Sequence, residues 1–188
     1  RSGIQQFILQ DIMVGEVWLC SGQSNMEFQL QQCDTGRDDI PRSDRPDIRL
    51  LNLEARWRTD AVQFSPSALD SINHLHYFTD PGWHHCSPRT SPSFSAIGYY
   101  FGKTLRDSLQ VPVGLICNAV GGSPAESWVD RELLETQFPF ILYNWMQNGE
   151  IMEWARGRAR KNLGGEGRHP YEPCYLYESA LLPLSGCP

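Results

Sequence analysis

The stretch VPVGLICNAV, residues 111–120, decides the fold class of this chain. Its residues are β-branched or otherwise apolar at nearly every position, so a strand formed by them would be apolar on both faces. Strands of that kind lie in the middle of parallel sheets that carry helices on both sides. The pair Gly121-Gly122 then ends the run with a turn. The stretch therefore predicts a central strand of a parallel sheet.

Two shorter apolar runs predict further strands. GEVWLCS, residues 15–21, indicates a buried strand that ends at Gly22, and DIRLLNLE, residues 47–54, indicates another. Between them, DTGRDDIPRSDRP, residues 34–46, has the Gly, Pro and Asp residues that are typical of a loop. Residues 55–93 show no sustained period and predict a long loop excursion, which is usually a functional feature.

Helical periods separate these strands. SNMEFQLQQC, residues 24–33, predicts a short helix, and further helices are expected over residues 130–162. SPSFSAIGYYFGKTLRDSLQ, residues 91–110, predicts an amphipathic helix with Ser93 as its N-cap and an apolar stripe made of Phe94, Ile97, Phe101, Leu105 and Leu109. The alternation of strands and helices predicts an α/β fold, a three-layer α/β/α sandwich with a mainly parallel sheet.

The composition excludes several classes of function. The chain has 188 residues, of which 40% are hydrophobic and 11% aromatic, as expected for one folded domain with its own core. Its net charge is −6 and its basic residues are scattered, so nucleic acid is not expected as a partner. No apolar run approaches the roughly 18 to 20 residues of a membrane span, and no signal peptide is visible after Arg1.

The six cysteines do not form a recognisable metal or redox motif. Cys20 and Cys117 lie in apolar runs and are expected to be inert buried thiols. The other four lie in loop-like sequence and could pair in three ways; they are Cys33, Cys86, Cys174 and Cys187. His84-His85-Cys86 is a weak metal signal, because neighbouring side chains point in different directions. We expect no metal and no cofactor.

A serine follows the first predicted strand, in VWLCSGQSNMEF, residues 17–28. In open α/β sheets, ligands bind at the carboxyl ends of the strands, so Ser24 stands where chemistry is expected. A serine hydroxyl needs a base to act as a nucleophile, and acyl transfer also needs donors for the oxyanion. The segment is similar to a nucleophile elbow, but Met26 replaces the last glycine of G-x-S-x-G. The alternative role of Ser24 is that of a helix N-cap.

A second turn of small residues follows the central strand. Gly121-Gly122 would let a backbone N–H approach a ligand closely, because neither residue has a Cβ. The alternative is a tight turn that needs positive φ. Since both turns lie at strand ends, together they offer a hydroxyl and backbone donors at one rim.

These segments carry a family resemblance. VGEVWLCSGQSNMEF resembles the first block of the SGNH-hydrolase superfamily, as found in sialate O-acetylesterases and acetyl-xylan esterases. FSAIGYYFGKTL, VPVGLICNAVGGSPAESW and PCYLYESALLPL resemble successive stretches of the sialate O-acetylesterase family, in the same order. The resemblance covers nearly the whole chain. It implies an SGNH-hydrolase (flavodoxin-like) fold and a secreted, periplasmic or lysosomal location.

The resemblance also implies an activity, the removal of O-acetyl groups from an acetylated sugar. Ser24 would be the nucleophile, and the N–H groups of Ser24, Gly121 and Gly122 would form the oxyanion hole. The remaining candidate substrate contacts in the same segments are Gln23, Asn25, Glu126 and Trp128.

The family's W-Y-Q-G-E-S and D-x-x-H blocks have no counterpart in the chain. Residues 1–188 are therefore interpreted as the N-terminal portion of a single catalytic domain that is incomplete here, with the catalytic His and acid on a second fragment. The five histidines are weak candidates for a replacement base, because exposed loop histidines are common. Two alternatives stay open, an acetyl-xylan-type esterase and a truncated, non-catalytic carbohydrate-binding form.

Overall fold

A computed structural model describes residues 10–60 and 62–186. Four strands and seven α-helices alternate along them. The strands are β1 (Glu16–Gly22), β2 (Arg45–Asn52), β3 (His84–Cys86) and β4 (Val113–Ala119). The helices are α1 (Ser24–Glu27), α2 (Gly36–Asp39), α3 (Pro66–Asn73), α4 (Ala96–Leu109), α5 (Arg131–Gln137), α6 (Pro139–Leu142) and α7 (Glu153–Leu163). Short 3₁₀ segments and a π-helical turn at Tyr177–Leu181 complete the described chain.

The four strands form one sheet in the order β1-β4-β2-β3. β4 pairs in parallel with β1 on one side and with β2 on the other, while β3 is antiparallel to β2. The prediction that residues 111–120 supply a central parallel strand is confirmed, since Val113–Ala119 is buried along almost its whole length. Helices flank the sheet, which gives the predicted α/β fold class.

The helix α4 covers one face of the sheet, but with a different side from the one predicted. Ser95 caps it, because the Ser95 hydroxyl accepts a hydrogen bond from the Gly98 N–H at 3.1 Å, and Ser93 does not. Its buried residues are Ala96, Gly98, Tyr99 and Gly102. The predicted stripe is wrong in part: Ile97, Phe101 and Leu109 are 51%, 40% and 50% exposed.

Glycine explains this orientation. A Cβ on Gly102 would lie only 2.4 Å from Leu115 Cδ1, so the helix backbone approaches β4 more closely than a large side chain permits. The small residues of α4 therefore meet the sheet together with the buried Tyr99, and Ile97, Phe101 and Leu109 turn away from it.

The strand β1 exists as predicted, but it is not buried. It pairs only with β4 among the described strands, and Val17 and Leu19 are 63% and 47% exposed. Trp18 packs edge-on against Phe101 of α4, with ring centroids 5.1 Å apart, and Cys20 alone reaches the core. This apolar sequence thus forms a strand at the edge of the described sheet. The sequence period could not predict this, because it does not show which strands lie beside β1.

Two segments predicted as loops contain regular structure. Residues 34–46 include α2 and the 3₁₀ segment Ile40–Arg42. Residues 55–93 include α3, whose N-cap Ser65 accepts from the Ala68 N–H, and β3. The long excursion is therefore partly folded onto the domain. Its buried residues Phe64, Ile72 and Tyr77 form a second core cluster with residues of the C-terminal region.

The cysteines of the described chain are free thiols. Cys20 and Cys117 are buried, as predicted, and burial raises the pKa of Cys117 to about 12. Disulfides among Cys33, Cys86 and Cys174 are ruled out by the structure, because each of these residues is a free thiol, and Cys187 lies outside the described residues. Within the described residues, every helix is too short or too polar to cross a membrane.

Candidate active site

A cavity of about 510 Å³ opens at the carboxyl ends of the parallel strands. Ser24 lines it from the turn after β1, and Gly121 and Gly122 line it from the turn after β4. Asn52 lines it from the end of β2. Parallel pairing places these three strand ends side by side, since Gly22 lies in register with Ala119. The structure thus brings the two sequence-predicted turns to one site.

Ser24 presents an exposed hydroxyl to this cavity. Ser24 is the first residue of α1, and Gln23 occupies the N-cap position without a side-chain cap. The Ser24 hydroxyl donates only a long hydrogen bond, 3.5 Å, to Gln23 Oε1. The alternative of a capping serine is therefore wrong, and the hydroxyl is not committed to the backbone of its own helix.

The turn Gly121-Gly122 is held by two side chains. Glu27, one turn after Ser24, accepts a hydrogen bond from the Gly121 N–H at 2.8 Å. Tyr171 donates to the Gly121 carbonyl oxygen at 2.7 Å. Gly122 has a φ of +74°, which favours glycine, and its N–H has no hydrogen-bond partner among the described residues. The Gly121 N–H thus already has an acceptor. The Gly122 N–H is the donor of this turn that is available to a ligand.

An aromatic wall closes the site beside Gly122. The Trp154 indole, from α7, stacks on Tyr171 with ring centroids 5.7 Å apart. A Cβ on Gly122 would lie 2.2 Å from Trp154 Cη2, so only glycine lets the backbone meet this ring. Thr59 extends the wall through a 2.5 Å hydrogen bond between its hydroxyl and that of Tyr171.

Comparison with known proteins places this site in a family. A sequence model described as carbohydrate esterase, sialic acid-specific acetylesterase, matches residues 14–150, which include the strand β1, Ser24 and the glycine turn. The chain belongs to this family of carbohydrate esterases.

Individual relatives agree with the family match. The sialate O-acetylesterase of Rattus norvegicus is 30% identical over 127 residues, which are 68% of this chain and 22% of the relative. That of Mus musculus is 30% identical over 142 residues, covering 71% and 24% of the two chains. The chain thus spans only about a quarter or less of the length of these curated relatives.

A solved structure supports the same fold. A carbohydrate acetylesterase from Xanthomonas citri superposes with a TM-score of 0.51 at 32% identity, over 65% of this chain and 26% of that one. The esterase-family membership and the α/β fold therefore rest on both sequence and structure.

Four sequence-predicted contacts lie outside the cavity lining of this esterase-family chain. Gln23 and Asn25 are exposed next to Ser24. Trp128 donates from its indole N–H to Ser123 Oγ at 2.8 Å and packs against the second core cluster. Glu126 lies in the 3₁₀ segment Ala125–Trp128, where its carbonyl accepts from the Cys174 N–H. Their roles as substrate contacts stay predictions.

None of the five histidines, all of which are described, lines the cavity. Four are exposed; these are His74, His76, His84 and His85. His169 is fully buried, accepts from the Tyr171 N–H at its Nδ1, and lies 3.1 Å from Asn162 Oδ1 through its Nε2. Burial lowers the pKa of His169 to about 3. His169 is thus a neutral structural residue, and both of its ring nitrogens are occupied.

Several lining residues were missed by sequence reasoning. Trp154, Arg158 and Tyr171 come from a helix and a loop far along the chain. The run WARGRARKN, residues 154–162, has the basic composition that is typical of a solvent-exposed helix face. Only tertiary packing shows that one side of this helix meets the glycine turn.

Proposed function

We propose that this chain forms the nucleophile half of a serine esterase that removes O-acetyl groups from sialic acids. The observation that carries the proposal is the juxtaposition of the Ser24 hydroxyl, which caps no helix, and the Gly122 N–H in one cavity. Family membership supports the substrate class, since the relatives from rat and mouse are named sialate O-acetylesterases.

The proposed reaction has two steps. Ser24 Oγ attacks the acetyl carbonyl carbon while a base removes its proton, and the resulting oxyanion accepts hydrogen bonds from the N–H groups of Ser24 and Gly122. The C–O bond to the sugar then breaks, and the sugar oxygen takes the proton from the base. Water next attacks the acetyl-Ser24 ester with help from the same base, which releases acetate and restores the serine.

The base is proposed to come from a part of the catalytic domain outside these 188 residues. No histidine lines the cavity among the described residues, and His169 is held as a neutral core residue. One feature of the sheet favours an additional neighbour there. Strand β1 has an open edge among the described strands, and Val17 and Leu19 on it are exposed. Exposed apolar side chains that lie together often mark a surface covered by another segment.

Mutation of Ser24 tests the proposal. In a polypeptide extended through the further part of the domain, Ser24→Ala should lower hydrolysis of 9-O-acetylated sialic acid by at least about a thousandfold, while the protein stays folded. Ser108→Ala, an exposed serine of α4, is the matched control and should keep full activity. Unchanged hydrolysis by Ser24→Ala would end the proposal.

A non-catalytic carbohydrate-binding form is the second candidate, favoured by the absence of a histidine from the described cavity lining. It predicts that the wild type and Ser24→Ala bind sialic acid alike and that neither hydrolyses the acetyl ester.

An acetyl-xylan-type esterase is the third candidate function. It predicts faster hydrolysis of acetylated xylan than of acetylated sialic acid. The Xanthomonas citri neighbour is named a carbohydrate acetylesterase, which specifies no sugar.

A further inference from the structure

The charged groups of the cavity are unequally paired. Three carboxylates line it, and each has a polar partner. Glu27 accepts from the Gly121 N–H, and Glu54 accepts from Asn52 Nδ2 at 2.8 Å. Asp60 lies 3.6 Å from Arg58. Arg158 also lines the cavity, but it forms no ion pair with any described residue. Among the charged side chains that line the cavity, Arg158 is therefore the cation without a carboxylate partner in the described chain.

The position of Arg158 is fixed by two contacts. Its Nη1 donates to the Thr59 carbonyl oxygen at 2.7 Å. Its guanidinium carbon lies 5.1 Å from the centroid of the Trp154 ring. A guanidinium has five N–H donors, so these contacts leave most of its donors available to a ligand. Stacking on an aromatic face also orients the planar group.

Trp154 connects this cation with the reaction centre. One end of the indole lies against Gly122, the proposed oxyanion donor. The guanidinium of Arg158 covers the face of the same indole. The cation therefore lies about one indole ring away from the place where the acetyl carbonyl would be bound.

We propose that Arg158 binds the carboxylate of an acetylated sugar acid and so selects sialate esters over esters of neutral sugars. This inference rests on the proposed function of the site. In a sialic acid, the carboxylate and the glycerol side chain that carries the acetyl ester are attached to the two ring carbons that flank the ring oxygen, and they extend from the ring in different directions. A ligand of that shape would place its ester at Ser24 and its carboxylate at Arg158, with its body against Trp154. Arginine binds carboxylates with two parallel hydrogen bonds, and an acetylated xylose offers no such group.

Binding, rather than turnover, tests the inference. The ligands are N-acetylneuraminic acid and its uncharged methyl ester, and the protein carries Ser24→Ala so that no ester is cleaved. Affinity is measured by calorimetry and by the change in total tryptophan fluorescence, to which Trp154, 47% exposed, contributes. The acid should bind at least about tenfold more tightly than the methyl ester. Arg158→Gln, which removes the guanidinium and its charge but keeps a polar side chain, should abolish this difference.

Arg160→Gln is the matched control, because Arg160 lies on the same helix, pairs with Glu153 and is outside the cavity lining. It should leave both affinities unchanged. Equal binding of acid and methyl ester by the Arg158 protein, no binding of either, or an equal loss with Arg160→Gln would overturn the inference. If the acid binds through Arg158 but the extended wild-type protein does not hydrolyse 9-O-acetylated sialic acid, the proposed function fails and the inference about Arg158 stands.

Discussion

At the scale of single residues, the position of Ser24 decides between two roles that local sequence rules allow. Those rules favour a capping serine at a helix start. In the structure Ser24 is the first residue of α1 and Gln23 is the N-cap, so the Ser24 hydroxyl does not cap the helix, and Ser24 lines the cavity. A shift of one residue in the helix start thus separates a structural serine from a candidate nucleophile, and boundaries are the least predictable part of an element.

Glu27 is the residue on which the glycine turn depends most directly. Its carboxylate occupies the Gly121 N–H, and a Cβ on Gly121 would lie 2.5 Å from Glu27 Oε2. Hydrogen bonds to charged groups are worth about 1.5 to 3 kcal/mol. Glu27→Ala should therefore misplace the Gly122 N–H and lower kcat for acetyl-ester hydrolysis by about ten- to a hundredfold, with a smaller change in KM.

Glu27→Gln is the informative partner of that variant. Its amide oxygen can still accept from the Gly121 N–H, so we expect it to recover most of the kcat lost in Glu27→Ala. Equal kcat values for the wild type and Glu27→Ala in steady-state kinetics would show that the turn holds its shape without this contact.

At the scale of elements, the predictions were correct where the hydrophobic pattern of a segment is enough to determine how that segment is buried. The central strand was identified because residues 113–119 are almost wholly apolar, which is typical of a parallel strand that is covered on both faces. β1 and α4 were each located correctly, but β1 is largely exposed and α4 meets the sheet with a different face from the one predicted, because burial depends on partners that a local pattern does not show. Trp154 and Arg158 could not be found locally, since their meeting with Gly122 is tertiary.

Replacing glycine by alanine is expected to have opposite effects on stability in α4 and in α7. Gly102→Ala would press a Cβ against Leu115, and overpacking of a buried contact costs about 1 to 3 kcal/mol, more than the helix propensity that alanine adds. Gly157→Ala lies inside α7 with no atom closer than 3.8 Å, so it should stabilise by about 0.5 to 1 kcal/mol.

Urea unfolding measures both free energies. The two variants should move the midpoint in opposite directions. A Gly102→Ala protein as stable as the wild type would show that α4 is not held against β4 by close backbone contact.

At the scale of the whole molecule, His169 couples stability to pH. Burial lowers its pKa to about 3, whereas a histidine in the unfolded chain titrates near pH 6.5. The His169 imidazole therefore binds a proton below about pH 6.5 in the unfolded state, but in the folded state it does so only near pH 3. This contribution to stability is fully present above pH 6.5 and is lost as the pH falls, by up to about 1.4 kcal/mol per unit.

The variant His169→Gln isolates this effect. Between pH 7 and pH 5 the wild type should lose about 2 kcal/mol of unfolding free energy more than His169→Gln loses. Urea titrations at both pH values give the comparison, with the exposed His76→Gln as control. Parallel losses in the wild type and His169→Gln would mean that His169 is accessible to protons in the folded state.

Strand β1, which carries exposed apolar side chains, leads directly to the proposed nucleophile. Val17 and Leu19 are exposed on a strand with an open edge in the described structure, and β1 leads directly to Ser24.

We expect the 188-residue chain alone to hydrolyse p-nitrophenyl acetate no faster than its Ser24→Ala variant, because the base is proposed to lie elsewhere. Hydrolysis by the chain alone that depends on Ser24 would place the base within it.

The central claim, that Ser24 is the nucleophile, is tested most directly by covalent labelling. A fluorophosphonate probe is reacted with the polypeptide extended through the further part of the domain, and the modified peptide is mapped by mass spectrometry. We expect one stoichiometric adduct, on Ser24, that Ser24→Ala abolishes and that the 188-residue chain alone forms only slowly. An adduct on another serine, or equal labelling of the Ser24→Ala protein, would contradict it.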